Sequence, residues 1–342
     1  MWTPLKALPP YLGGKRKLLG HIFKYLPKPS EAPVFIDAFL GGGSVSLMAK
    51  AKGYRVICND IAQRSYIVGK ALIENKSLKL EDSDLLRLFV PADDRSGFIV
   101  KNFSPDVLPK KHAEFLDNAM ANLSQNGTPK RWLLLLMFIK YILRIRPMGN
   151  FGAKTIMHQI ADGNWDEMNP NYVKDVINRK IYGHPKQILE RIMKQVNRGV
   201  FDNGQDNMAY HDDIFKTLDK IDQGDIIYLD PPYAGTGSYE KALSPLDCML
   251  AGAMIQTEPS VFSRDDAFEF LEKLFVASKR FPIWVISYGN VRIDLNQLTD
   301  LIKKFKKDVI AEEFKYTHLN SLAGEERKKN NKELLIYARG NR

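Results

Sequence analysis

Apolar positions near the start of the chain follow two periods in succession. Across residues 15–26, Leu18, Leu19, Ile22, Phe23 and Leu26 share one helical face, and Pro27 ends the helix. Residues 34–38 are a short apolar run, read as a buried strand. Gly41-Gly42-Gly43 follows, then a helix over 44–52 with Gly53 past its end, then a second strand over 54–58 that stops at Asn59-Asp60. Strand, glycine turn, helix and strand make the opening of a βαβ unit.

From about residue 75 to 128 the periodicity fails, and charged runs, prolines and short apolar groups mix. Order returns as a helix over 131–144, a basic loop over 146–154, and an amphipathic helix over 185–198. That last helix turns Ile188, Leu189, Ile192, Met193 and Val196 inward and has Gly199 beyond it. A strand over 225–229 runs into Asp230-Pro231-Pro232-Tyr233. Residues 234–262 read as a long loop. Ser263-Arg264-Asp265-Asp266 resembles a capping box for a helix over 267–279. A strand over 283–287, a helix over 295–305 and two strands over 309–316 and 333–338 complete the pattern. The fold class is therefore α/β. Residues 1–75 and 200–342 build one sheet domain, and residues 76–199 form a mainly helical insertion.

Composition narrows this picture only a little. Hydrophobic residues make up 44% of the 342, which excludes global disorder. The net charge of +10 suits a polyanionic partner without specifying one. Two cysteines, Cys58 and Cys248, exclude a disulfide framework, and the six histidines show no ligand spacing, so no metal site is expected. The apolar run over 132–143 is too short for a bilayer and contains Lys140, so no membrane partner is expected. The proline-rich first ten residues do not read as a secretory signal. A reducing cytoplasm, in a prokaryotic cell or a phage-infected host, is the expected location.

Two constellations carry chemistry. Phe39-Leu40-Gly41-Gly42-Gly43 lies between a strand and a helix, where glycines let the backbone approach a ligand closely. Asp60 ends the next strand, the place where an acidic residue binds a ribose hydroxyl in Rossmann-like sheets. Ser46 stands where a dinucleotide fingerprint has its third glycine, so the spacing fits a nucleoside-bearing cofactor better than a dinucleotide. The second constellation is Asp230-Pro231-Pro232-Tyr233. Its prolines remove two backbone donors, leaving a carboxylate, carbonyls and one aromatic face. Acceptors beside a flat ring suit a planar group that carries an NH₂. Taken alone, each segment would also serve as a plain turn.

Together these residues resemble the Dam-like, D12 class adenine-specific DNA methyltransferases. The family's FxGxG turn is matched by Phe39, Gly41 and Gly43, and its DPPY motif by Asp230, Pro231, Pro232 and Tyr233. An aromatic-x-Gly-Gly-Lys segment near the N-terminus is matched by Tyr11, Gly13, Gly14 and Lys15. The order, with the glycine motif first and DPPY after a long insertion, is that of the alpha group. The chain departs in having Ala38 where members often have proline. His211-Asp212-Asp213-Ile214 is similar to an Asp–Phe pair that borders the cofactor's adenine, with isoleucine for phenylalanine; such an aspartate also serves as a helix N-cap.

The resemblance implies a Rossmann-like S-adenosylmethionine-dependent methyltransferase sheet holding a target-recognition insertion. It implies that Tyr11, Gly13, Gly14, Lys15, Phe39, Gly41, Gly43, Asp60, Asp213 and Ile214 hold S-adenosyl-L-methionine, with Lys15 near the methionine carboxylate and Asp60 on the ribose. It further implies that Asp230 and the Pro231 carbonyl accept the two N6 hydrogens of a flipped-out adenine, on which Tyr233 stacks. Double-stranded DNA is the implied partner, and a cognate restriction endonuclease is a functional partner compatible with the family. The cations placed to neutralise phosphates are Lys130, Arg131, Arg144, Arg146 and Lys154 around the central helix, and Arg327, Lys328, Lys329 and Lys332 in the terminal hairpin. Asn150 and Phe151 lie in a loop suited to base edges. Solvated surface charge is the plainer account of each. Competing functions are methyl transfer to cytosine N4, to adenine in RNA or to a protein amide, and a DNA-binding relative without turnover.

Overall fold

Residues Val34–Asp37 form β1, and both of its neighbours run parallel to it: β2 (Arg55–Asn59) on one side and β4 (Ile226–Leu229) on the other. Ile36 sits opposite Ile57 and Ile227, so the apolar run seen in the sequence is buried between two others. β3 (Met208–Tyr210) extends the sheet beyond β2, and β5 (Ile283–Gly289) lies beyond β4. β6 (Lys306–Lys315) and β7 (Lys332–Asn341) close the far edge antiparallel, giving the order β3-β2-β1-β4-β5-β7-β6. The order reverses between β1 and β4. A crevice opens outside the carboxyl ends of strands at such a point, and the glycine turn and Asp230 both lie there. The computed structural model describes the chain apart from residues 1–2, 12, 126–127, 147–150, 153, 163–165, 167, 182, 235–238, 257, 291, 316–331 and 342.

The chain divides into two compact units. One comprises Tyr11–Lys76, Asp202–Tyr239 and Glu258–Arg342 and holds the whole sheet. Its core joins Ile36, Ile57, Ile227, Leu229, Trp284 and Ile336 to the helices Ile214–Lys220, Ala267–Ser278 and Leu295–Lys303. The other comprises Met1–Pro10, Ser77–Phe201 and Glu240–Thr257 and is helical. The sequence reading cuts at 75/76 and 199/200; the compact helical unit also takes in Met1–Pro10 and Glu240–Thr257. One physical reason is Lys140, whose buried ammonium donates to the carbonyls of Lys6 and Leu8 at 2.9 Å each and fastens that first segment to Arg131–Ile145. Arg131–Ile145 is buried on nearly every side, as a central helix must be. His112 packs against it, bonded to the Tyr141 hydroxyl and the Ile181 carbonyl, and burial pushes its pKa down to about 4.

Several elements differ from the sequence reading. The helix expected over 15–26 shrinks to a 3₁₀ turn at Lys15–Lys17 and one α-turn at Leu19–Ile22, because Lys15 is drawn inward and Gly20 stabilises no helix. The irregular stretch contains Lys110–Gln125, whose buried Ala113, Leu116, Ala119 and Leu123 are spaced three and four apart among charged neighbours. Tyr239–Ala251 is a helix despite Pro245, held by buried Leu243, Leu246, Met249 and Leu250. Ser263 closes a 3₁₀ turn and Asp266 makes no side-chain cap, so no capping box forms there. Asp294 and Gln297 make one instead, ahead of Leu295–Lys303.

Candidate active site

The glycine turn leaves β1 and enters the helix Ser44–Ala51 through Gly43 at φ +76°, a conformation that disfavours any side chain. Tyr11 lies directly on this turn. A Cβ on Gly42 would come within 2.6 Å of the Tyr11 Cβ, and one on Gly41 within 3.0 Å of the Tyr11 ring. The aromatic-x-Gly-Gly-Lys segment and the FxGxG turn are thus two faces of one structure. Phe39 lies edge-on to Phe262, the ring centres 5.4 Å apart.

Asp60 ties the turn to the end of β2. Its Oδ2 accepts from the Gly41 amide and its Oδ1 from the Ala62 amide, both at 2.8 Å. Burial raises its pKa, against the pull of those two amides. Asp37, the last residue of β1, carries no local sequence signal of its own because it closes an apolar run. It is 1% exposed, and its Oδ2 accepts from the Ser46 hydroxyl at 2.7 Å. Its Oδ1 is buried and, among the described residues, has no hydrogen-bond partner within 3.5 Å. Burial, opposed by the Ser46 hydroxyl and the Phe39 amide and aided by the charges of Asp230 and Asp60, pushes its pKa up to about 7.

At the end of β4 the Asp230 carboxylate meets a buried cation. Lys15 is 4% exposed, and its Nζ lies 3.0 Å from Asp230 Oδ1, 3.3 Å from Glu333 Oε1 and 2.8 Å from the Tyr233 hydroxyl oxygen. Burial alone would lower the lysine pKa, but Asp230 and Glu333 more than offset it and hold the ammonium charged. The Tyr233 hydroxyl lies 2.7 Å from Glu333 Oε1 and 3.0 Å from Asp230 Oδ1, donating its single proton to one at a time. Burial raises the Asp230 pKa, Lys15 opposes that rise and Glu333 adds to it. The network is preorganised around one oxygen of Asp230, in a side chain that stays 18% exposed.

Residues 11–118 match the family of D12 class N6 adenine-specific DNA methyltransferases. Over 331 residues the chain is 32% identical to the Type II methyltransferase M2.HphI of Haemophilus parahaemolyticus, covering 95% of this chain and 96% of that protein. The chain belongs to this family. It is also 26% identical over 242 residues to the Type II methyltransferase M.FokI of Planomicrobium okeanokoites, spanning 66% of this chain and 34% of that longer protein. With the modification methylase LlaI of Lactococcus lactis subsp. lactis it shares 24% identity over 371 residues, covering 97% of this chain and 55% of that protein. The protein is a DNA adenine methyltransferase with a Rossmann-like sheet, and its reaction requires a methyl donor.

Within this methyltransferase, other residues singled out in the sequence have different settings. The Asp213 carboxylate caps the helix Ile214–Lys220 by accepting from the Phe215 amide at 2.9 Å, and Ile214 is 5% exposed in the core. Lys15 faces protein carboxylates, where the resemblance offered it to a methionine carboxylate. Tyr233 is 4% exposed, packed 5.0 Å from the Tyr288 ring and against Gly289, so it forms a wall in this structure and not an open platform.

In the helical unit of the enzyme, Arg131 is exposed, with a long contact to the Leu123 carbonyl at 3.4 Å. Arg144 donates to the Asn178 carbonyl at 2.9 Å, and buried Arg146 lies 4.9 Å from the Phe151 ring centre. Burial and then Arg191 and Arg179 lower the Arg144 pKa; burial and then Arg179 push Arg146 down to about 10. These arginines form a zone of like charge. Lys130 pairs with Asp84 at 2.8 Å and Lys154 with Asp106 at 2.6 Å. In the sheet unit Lys332 pairs with Glu313 across the β6–β7 ladder. Asn150, Arg327, Lys328 and Lys329 lie outside the described residues. Among the described residues no three His, Cys, Asp or Glu side chains gather to hold a metal, and no helix is long and apolar enough to cross a membrane.

Proposed function

We propose that this enzyme takes its methyl group from S-adenosyl-L-methionine and transfers it to the N6 of a single adenine swung out of duplex DNA. The observation that carries this reading is the Asp230 carboxylate, held by Lys15 at a sheet switch point beside a tightly packed glycine turn. The residues fit such a donor. Asp37 Oδ1 is a buried acceptor with no hydrogen-bond partner among the described residues, suited to an ammonium. The glycine turn admits no Cβ beneath Tyr11, and Asp60, fixed to its floor, stands where a ribose hydroxyl would reach it. Tyr11, Gly13, Gly14, Phe39, Gly41, Gly43 and Asp60 form this cradle. Asp213 and Ile214 contribute as supports of its wall through the cap and the core. When bound, the donor supplies an electrophilic methyl carbon on a sulfonium.

The protein's task is to make a poor nucleophile act. The N6 lone pair of adenine is delocalised into the ring. The Asp230 carboxylate and the Pro231 carbonyl accept the two N6 hydrogens, drawing the nitrogen toward tetrahedral geometry and aiming its lone pair. Pro231 and Pro232 stiffen the turn, so that these acceptors keep their positions. Lys15 fixes Asp230 and favours its ionised form. The Tyr233 hydroxyl holds the same oxygen in place, and its ring supports the base once DNA entry uncovers a face.

The base cannot be reached within a stacked duplex, and the arginine zone at Arg144 and Arg146, with Arg131, Lys154, Asn150 and Phe151, is the proposed target-recognition surface. Arg327, Lys328, Lys329 and Lys332 add phosphate contacts. Residues 76–199 are the proposed recognition domain, with 1–75 and 200–342 as the catalytic one. A cognate restriction endonuclease and a cytoplasmic location follow from the same reading. The test is tritiated methyl transfer from S-adenosyl-L-methionine to DNA, RNA and protein in parallel, with products resolved as nucleosides. N6-methyladenine in DNA alone is expected. Incorporation into cytosine, RNA or protein would overturn the reading, as would DNA and donor binding without incorporation.

A further inference from the structure

The mechanism above gives no part to Glu333, a buried carboxylate in the same cluster as Lys15 and Asp230. Glu333 is the second residue of β7 and is 0% exposed. Its Oε1 accepts from the Ser287 hydroxyl at 2.8 Å, lies 2.7 Å from the Tyr233 hydroxyl and stands 3.3 Å from the Lys15 ammonium. A buried carboxylate is retained only where charge and donors compensate its lost hydration. Lys15 already has a carboxylate partner in Asp230, so neutralising the lysine does not require a second one. Two carboxylates around one ammonium leave the cluster one net negative charge. Without Glu333, the full field of Lys15 would bear on Asp230 and weaken it as a hydrogen-bond acceptor.

We propose that Glu333 is a positioning residue whose charge offsets Lys15, so that the ammonium holds Asp230 in place without weakening its grip on the adenine amino group. This rests on the reading of Asp230 as the acceptor for that amino group. Among the described residues, the titratable and charged groups facing Glu333 include Lys15, Asp230 and Tyr233, with Tyr228 from β4; Ser287 from β5 supplies a neutral donor. Asp37 acts on the same site through Asp230. Lys15 lowers the Asp230 pKa and Glu333 raises it, so loss of the Glu333 charge must lower it.

The test is single-turnover methyl transfer across pH with preformed enzyme–DNA–donor complexes. Glu333→Gln keeps the shape and removes the charge. Its rate is expected to fall about tenfold, with donor and DNA affinities nearly unchanged, and its acid limb to move to lower pH by about half a unit to one unit. Glu333→Asp keeps the charge and should restore the acid limb and most of the rate. Equal displacement in the Asp and Gln variants would assign the effect to shape and overturn the proposal, as would a Gln variant identical to the parent. Should Glu333→Gln fail to fold, Lys15→Met reads the balance from the other side: its acid limb must rise, and a limb that stays put overturns the proposal. Asp230→Ala, measured in parallel, separates the two readings. If it retains full activity, the acceptor reading fails; if it is inactive while Glu333→Gln is unchanged, only the Glu333 inference fails.

Discussion

Lys15 Nζ lies 3.0 Å from Asp230 Oδ1, joining the first motif of the chain to the last in one buried ion pair. Removing one member of such a pair strands the other. Lys15→Met is therefore expected to destabilise the protein by about 3–5 kcal/mol near neutral pH, because Asp230 and Glu333 would face each other without their cation. Urea unfolding measures this. The loss should shrink as pH falls and a carboxylate takes up a proton.

Asp37 makes donor binding depend on pH. Its pKa stands at about 7 in the free protein against 3.8 ordinarily, so the folded form carries the proton between those values. An ammonium at Oδ1 selects the ionised carboxylate, so binding below about pH 7 releases a proton and weakens by up to about tenfold per pH unit. Titration calorimetry should show donor affinity rising with pH and levelling off above 7, and Asp37→Asn should flatten the profile. The sign for stability is opposite. A carboxylate with a raised folded-state pKa destabilises the fold as pH rises from 3.8 to 7, so Asp37→Asn should stabilise the donor-free protein at pH 8.

Gly42→Ala would place a methyl group 2.6 Å from the Tyr11 Cβ and push the aromatic segment off the turn. Donor affinity should fall at least about tenfold, for about 1.4 kcal/mol of misplacement. Gly20, where a Cβ meets nothing within 4 Å, is the control, and Gly20→Ala should leave donor binding unchanged.

Tyr233 has two separable parts. Tyr233→Phe removes only the hydroxyl, and the rate should fall about tenfold, the worth of one hydrogen bond to a charged group. Tyr233→Ala removes the ring as well and should cost about 1–3 kcal/mol more in binding a flipped base. Equal losses in the two variants would leave the ring without a part.

Salt dependence sorts the cations. Arg144→Ala should shallow the slope of log affinity against log salt by about 0.9, as loss of one phosphate contact does. Lys332 already pairs with Glu313 across the ladder, so Lys332→Ala should change the slope less.

The sequence made the ligand-facing turns legible because their chemistry needs unusual residues. Gly41-Gly42-Gly43 and Asp230-Pro231-Pro232-Tyr233 have no use in an ordinary strand or helix. Asp37 and Glu333 were hidden for the opposite reason. Asp37 ends an apolar strand and Glu333 is the second residue of another, where a carboxylate looks like the edge of a sheet, and only tertiary pairing shows it buried. Tyr239–Ala251 was hidden by Pro245, whose local signal is overridden by buried leucines on either side. The 15–26 segment has a helical period that its own Lys15 defeats, since reaching Asp230 matters more than continuing a helix.

The most direct test of the account is Asp230→Ala, followed by donor binding and by tritiated methyl transfer into duplex DNA. The account predicts donor affinity within a few-fold of the parent and methyl transfer lowered by at least about a thousandfold, the scale of losing a preorganised electrostatic contact at a reacting group. Methyl transfer at the parent rate would contradict it.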